Sequence, residues 1–373
     1  MSALSLDALL GDARVIVCCG SGGVGKTTTA AALGLEAARR GRRAVVITID
    51  PAKRLADALG VPGGLGNEPI RLTVDTHGGD TDAASGELWA MMLDTASTFD
   101  GLVRGQAASP DQAERILANG FYRNIAGSLS GTQEYMAAER LHALHHDHRF
   151  DMVIVDTPPS RNALDFLDAP STLSRFLEHP VFKLMMLPAR RGLKVLNIAS
   201  QPLLRSIGKV VGGDVLADAI AFFQAFAGME TGFRQRADDV QALLRSPSTR
   251  FVLIASPRDD TIDEARYFAA RLSASALPVT AVIVNRCTPL FGAPSTERPA
   301  DSLTAALHDN LAELHGTARR EREQAAELLA DVATHATAGT VFIPTLPGDV
   351  HDLGGLEAVR LALCADSPDR SAQ

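Results

Sequence analysis

The 373-residue sequence predicts an α/β fold: a doubly wound, mostly parallel sheet with an inserted α-helical subdomain. Three observations carry that prediction. Eight β-type runs alternate with helical segments, the pattern of parallel strands joined by crossover helices. Several runs are apolar throughout rather than alternating, as strands covered on both faces must be. A glycine-rich stretch, Gly20-Ser21-Gly22-Gly23-Val24-Gly25-Lys26-Thr27, joins the first run to an alanine-rich helical pattern.

The first run is Arg14 to Cys19. The G-x-x-x-x-G-K-[ST] spacing behind it suits a loop whose backbone N–H groups wrap a polyphosphate while the helix N-terminus faces the negative charge. Gly20, Gly22, Gly23 and Gly25 let the backbone curl and approach phosphates closely. Lys26 is expected to reach the outer phosphates of ATP and the Thr27 hydroxyl to ligate magnesium, with Ser21, Val24 and Thr28 completing the cradle. The second run is Ala44 to Asp50, and weaker ones follow at Ile70 to Val74 and Leu88 to Leu93. Met152 to Asp156, Phe251 to Ser256, Val279 to Asn285 and Val341 to Pro344 complete the set.

Ligands of such sheets bind at the carboxyl ends of the strands, so the residues that close each run matter most. Two runs end in a carboxylate, Asp50 and Asp156. Phosphoryl transfer is catalysed by positioning and electrostatics, which calls for one acid in the magnesium shell and another group on the attacking water. Asp156 is assigned to magnesium, through water, and Asp50 to the attacking water; an aspartate at a strand end also reads as the N-cap of the next helix. The amide of Asn285 both donates and accepts, which suits an adenine edge.

Composition narrows the function classes. A formal charge of −8 and a pI near 5.7 oppose nucleic-acid binding by the body as a whole. No run reaches the roughly 18 apolar residues of a membrane span, and Met1 to Leu10 lacks a basic leader, so a cytoplasmic protein without a transmembrane segment is expected. The cysteines, Cys18, Cys19, Cys287 and Cys364, form no C-x-x-C pair.

One domain is expected over 1–373, with helical insertions at about 95–148 and 170–247 and a loose tail at 366–373. The first insertion ends in His142, His145, His146 and His148, which read either as metal ligands or as cations at a helix C-terminus. In the second, Leu177, Val181, Leu184 and Met185 share a face, as do Leu203, Ile207, Val210 and Val211. A later helix carries Leu216, Ile220 and Phe223 on one stripe and Phe222, Phe226 and Met229 beside it. From Pro170 to Gly213 seven Lys or Arg face one acid, Glu178. These faces read as a surface for an apolar client, as a self-packed subdomain, or as a peripheral contact with anionic lipid. Asp301 to Ala333 reads as a polar helix.

The sequence resembles the ATPase family that contains the arsenite-pump ATPase and the targeting factor for tail-anchored membrane proteins, a branch of the deviant Walker A group. The resemblance runs over nearly the whole chain. It is carried by G-S-G-G-V-G-K-T-T from Gly20, T-I-D-P-A from Thr48, G-T-Q-E-Y from Gly131, D-T-P-P from Asp156, V-N-R from Val284 and P-T-L-P-G-D-V from Pro344. It implies ATP hydrolysis in a dimer with the nucleotides at the interface. By the same carry-over Asp50 is the catalytic acid of switch I, Asp156 opens switch II, and Asn285, Asp349 and Val350 contact adenine.

Departures from the family pattern matter as much. The signature has a second lysine where this chain has Ser21, and that lysine crosses the dimer to the partner's phosphates. A partner dimer with a lysine-bearing paralogue is therefore favoured over a homodimer, unless Lys53, Arg54 or Arg161 supplies the charge in cis. The cysteine triad of the pump and the zinc-sharing C-x-x-C of the targeting factor are both absent, which speaks against arsenite as cargo and requires other dimer contacts. Three roles follow: a carrier for an apolar client, a nucleotide-binding regulatory subunit, or a positioning ATPase similar to ParA and MinD. The third is weakened by the large helical insert and by a short C-terminal helical stretch, Leu356 to Ala365, with one arginine.

Overall fold

The computed structural model describes residues 3–50, 54–74, 86–123, 132–158, 167, 169, 213–333 and 337–365. The chain divides into two compact units, Met1–Met92 with Leu144–Leu164 and Arg245–Gln373, and Leu93–Ala143 with Asp165–Leu244.

The first unit is built on eight strands: β1 Val15–Gly20, β2 Arg43–Thr48, β3 Ile70–Leu72, β4 Glu87–Met92, β5 Met152–Asp156, β6 Thr249–Ala255, β7 Val279–Cys287 and β8 Gly339–Pro344. They lie in the order β3-β4-β2-β5-β1-β6-β7-β8. Only the β3–β4 pair at the edge is antiparallel. Every run expected from the sequence is a strand of this sheet. β1 and β5 are buried along their whole length, as their unbroken apolar character requires. The chain leaves β1 toward β2 on one side and later returns to place β6 on the other, so a crevice opens at the carboxyl end of β1.

Helices α1 Leu6–Leu10, α2 Lys26–Arg39, α3 Arg54–Ala58, α9 Asp259–Ala274, α10 Ser302–Leu328, α11 Ala330–Ala333 and α12 Leu353–Ala365 belong to this unit. The Cβ absent from Gly34 would lie 2.6 Å from a Val46 methyl, so α2 can approach the sheet only with glycine there. Against the outer side of α2 packs α12, whose Arg360 reaches Glu36 at 2.6 Å and Glu357 at 2.8 Å. Arg42 donates to the carbonyls of Leu10, Gly11, Ala13 and Asp151, which fastens the end of α1 under the sheet.

The second unit contains α4 Thr95–Gln106, α5 Pro110–Leu117, α7 Gly213–Phe226 and α8 Glu230–Leu244, and most of α6 Thr132–His145, whose last two residues belong to the first unit. Asp94 and Ser109 cap α4 and α5 with their side chains. Its core is aromatic: Phe222, Phe223, Phe226 and Phe233 are buried with Tyr122 and Met229, and Phe226 and Phe233 have ring centroids 4.9 Å apart. Of the broad apolar face expected on α7, these phenylalanines are spent inside the unit. Glu139, 4% exposed, pairs with Arg236 at 2.7 Å. The faces at Leu177 to Met185 and Leu203 to Val211, the basic residues between Pro170 and Gly213, and the tail 366–373 lie outside the described residues.

Candidate active site

The phosphate loop leaves β1 and ends where α2 begins, with Gly25 in the left-handed region at φ 91°. A Cβ on Gly25 would meet the amide nitrogen of Asn285 at 2.3 Å, so the position needs glycine twice over. Lys26 is buried and donates Nζ to the Ser21 carbonyl at 2.8 Å, folding across the loop it follows. Burial draws its ammonium below the usual lysine range, while the charge of Asp156 acts in the opposite direction. Ser21 is itself buried, and its hydroxyl has no hydrogen-bond partner.

Sheet register assembles the rest. Thr48 on β2 and Cys18 on β1 both pair with Asp156 on β5, so the three residues form a row across the carboxyl edge. One oxygen of Asp156, Oδ2, accepts from Thr27 Oγ1 at 2.7 Å and from Thr48 Oγ1 at 2.9 Å. Oδ1 is buried with no hydrogen-bond partner. Burial pushes the carboxyl up to about 6, against the two hydroxyls that favour the charged form. A carboxylate with one oxygen held by hydroxyls and the other unpaired, beside the Thr27 hydroxyl, is an oxygen donor set that fits a hydrated magnesium ion. Thr157 Oγ1 donates to the Cys18 carbonyl at 2.7 Å, fixing the chain just beyond Asp156.

Asp50 follows β2 and forms an ion pair with Arg54 at 3.4 Å. Arg54 is thus beside the proposed catalytic acid, whereas Lys53 and Arg161 lie outside the described residues. The amide of Asn285 donates to the Val24 carbonyl at 2.9 Å, and its oxygen accepts from the Arg286 N–H at 2.9 Å. The structure therefore gives Asn285 the work of bracing the phosphate loop. Asp349 and Val350 lie on the loop after β8, the first exposed and the second half-buried against the apolar core. Among the described residues no hydrogen bond joins either of them to Asn285.

Thr48 and Thr157 are the functional residues that sequence reasoning missed. Thr48 stands two positions before Asp50 in the T-I-D-P-A stretch, yet its partner is set by the β2–β5 register, which local sequence does not encode. Among the described residues no group of histidine, cysteine or acidic side chains could hold a metal ion, the His142 to His148 group included. All four cysteines are free, and burial pushes Cys19 and Cys287 up to about 12.

Comparison with known proteins agrees with this geometry. The chain is 26% identical to "ATPase GET3" of Podospora anserina over 280 residues, covering 74% of each chain. It is 27% identical over 273 residues to "ATPase get3" of Aspergillus terreus, covering 72% of this chain and 71% of that one. Against "ATPase GET3" of Rhodotorula glutinis it is 26% identical over 268 residues, 72% and 68% of the two chains. The model of the anion-transporting ATPase family matches residues 13–300. With the phosphate loop, the strand order and most of its length accounted for by that match, the chain belongs to the anion-transporting ATPase family.

Proposed function

We propose that this chain binds ATP with magnesium and hydrolyses it to ADP and phosphate, acting as a cytoplasmic dimeric switch that binds and releases an apolar client. The observation that carries the reading is the row of Lys26, Thr27, Thr48 and Asp156 at the carboxyl edge of β1, with one carboxylate oxygen unpaired.

The N-terminus of α2 and the loop from Gly20 to Thr28 receive the polyphosphate. Lys26, held on the Ser21 carbonyl in the structure, exchanges that acceptor for phosphate oxygen when nucleotide enters. Thr27 and Asp156 would hold magnesium, which when bound offsets the charge of the phosphates. Asp50 accepts a proton from the attacking water and orients it. Thr48 keeps the Asp156 carboxylate in place. No helix among the described residues is long and apolar enough to cross a membrane.

A second reading comes from Ser21. Its short, buried side chain cannot reach a neighbouring active site, so a partner that carries lysine there would complete the site on this chain, which would serve as the nucleotide-binding subunit of a heterodimer. Single-turnover ATP hydrolysis by the purified chain, with a Ser21→Lys variant beside it, separates the two readings. A wild type that turns over on its own sets the heterodimer aside; a wild type that binds ATP without turnover and is rescued by lysine supports it. Failure to bind ATP in the presence of magnesium would sink both.

A further inference from the structure

Five of the eight large apolar side chains exposed among the described residues fall between 290 and 314: Leu290, Phe291, Leu303, Leu307 and Leu314. All five belong to one arm. Its 27-residue helix, α10, is seated on the sheet unit by its C-terminal part. There Glu321 accepts from the Thr288 N–H at 2.7 Å and Arg322 donates to the Thr288 carbonyl at 2.8 Å. Ala318 and Ala325 are fully buried at the same end. The N-terminal part is lined by the segment from Thr288 to Asp301, folded back along it. His315 Nδ1 lies 3.1 Å from the Phe291 carbonyl, His308 Nε2 lies 2.8 Å from the Ser295 carbonyl, and Arg298 pairs with Asp309 at 2.7 Å.

Helical geometry sorts the remaining faces. At 3.6 residues per turn Leu303, Leu307 and Leu314 fall within an arc of about 40°, roughly 100° round from the two histidines that hold the segment. Leu303 is 71% exposed and Leu307 61%. Ala306, Asn310 and Thr317 flank the stripe on one side and Thr304 and Leu311 on the other, and no charged residue of this part of the helix lies within about 60° of it. An uncharged apolar stripe with small neighbours has the composition of an interface core. Asp309 and Glu313 on the far side make it unlike the basic amphipathic helices that dock on anionic lipid.

We propose that the stripe is a docking surface for a second copy of this chain, arm against arm. The inference rests on the dimer reading above and gives that dimer a place. The five side chains expose on the order of 500 Å², so a twofold pair would bury about 1,000 Å², which reaches the lower bound of a specific interface. The stripe is also self-complementary: in an antiparallel pair with its axis near the middle of the stripe, Leu303 of one copy lies beside Leu314 of the other.

Sedimentation velocity on the purified full chain, with and without ATP and magnesium, tests it. The wild type is expected to be a dimer at micromolar concentration, and a Leu303→Glu/Leu307→Glu variant a monomer, with dimerisation weakened at least 100-fold and the thermal midpoint unchanged because both residues are exposed. An Ala306→Cys variant is expected to form an intermolecular disulfide under mild oxidation. A dimer that survives the glutamates, or a dimer in which Cys at 306 does not crosslink, overturns the arm while leaving the dimer reading in place. Loss of binding to an apolar model peptide, with the dimer intact, would assign the stripe to a client and overturn the proposal likewise. A wild type that is monomeric under all conditions removes the dimer reading and this inference with it.

Discussion

The sheet unit and the helical unit both bury charged side chains, and they do so by different means. In the first, Asp156 is held by its place in a strand: register aligns it with Thr48 and Cys18, and backbone pairing fixes all three. In the second, Glu139 and Arg236 meet because two helices are packed together beside an aromatic core. A site whose geometry comes from backbone ladders tolerates exchange of its side chains without loss of the fold. A charge held by packing does not, because its partner is left buried and unpaired.

Variants can break that contrast in order of expected effect. Phe226→Ala removes a ring from the aromatic cluster and should cost about 3–5 kcal/mol in urea unfolding, while ATP binding by the sheet unit is retained. Loss of ATP binding in the folded variant would erase the distinction between the units. Lys26→Ala should act in reverse, lowering single-turnover hydrolysis about 10²- to 10³-fold, the scale of one preorganised charge, with the unfolding midpoint nearly unchanged. A large fall in stability would show that Lys26 is structural.

The pH dependence of stability sharpens the comparison further. Burial raises Asp156 above its unfolded value, so between about pH 4 and pH 6 the folded chain binds the proton more tightly than the unfolded one. Stability should therefore fall as pH rises through that window, by roughly 3 kcal/mol, and level off above it. Asp156→Asn should remove the fall, and an identical profile in the variant would assign the titration elsewhere. The smallest effect is expected for Asn285→Ala, which takes one hydrogen bond from the Val24 carbonyl and should cost about 1–2 kcal/mol. Weaker nucleotide binding with unchanged single-turnover rate at saturation would mark it as a brace.

Much of the sheet unit could be read in the sequence because its signals are local. An apolar run with glycines at fixed spacing needs only its own residues to define a strand and a phosphate loop, and Asp156 announces itself by closing such a run. Thr48 could not be read, because its role depends on which strand lies beside β2. Asn285 was legible as a polar side chain at a strand end and not as a brace, since Val24 is more than 250 positions away in the chain. In the helical unit, apolar spacing located the face of α7 without saying what covers it. The same stripe serves a core or a ligand, and only the neighbouring rings of Phe121 and Phe233 decide the matter for Phe222 and Phe226.

The closing residues of β7 are a shared mounting. Asn285 holds the phosphate loop at Val24, and three residues later the Thr288 N–H is anchored on Glu321 at the base of the long helix. A ligand that stiffens the loop therefore stiffens the footing of α10 through a segment of four residues. Amide hydrogen exchange reads this directly: the Thr288 amide should exchange more slowly once nucleotide occupies the loop, although it touches no phosphate. The arm would then sense occupancy as a loss of motion at its root, with no change of shape required.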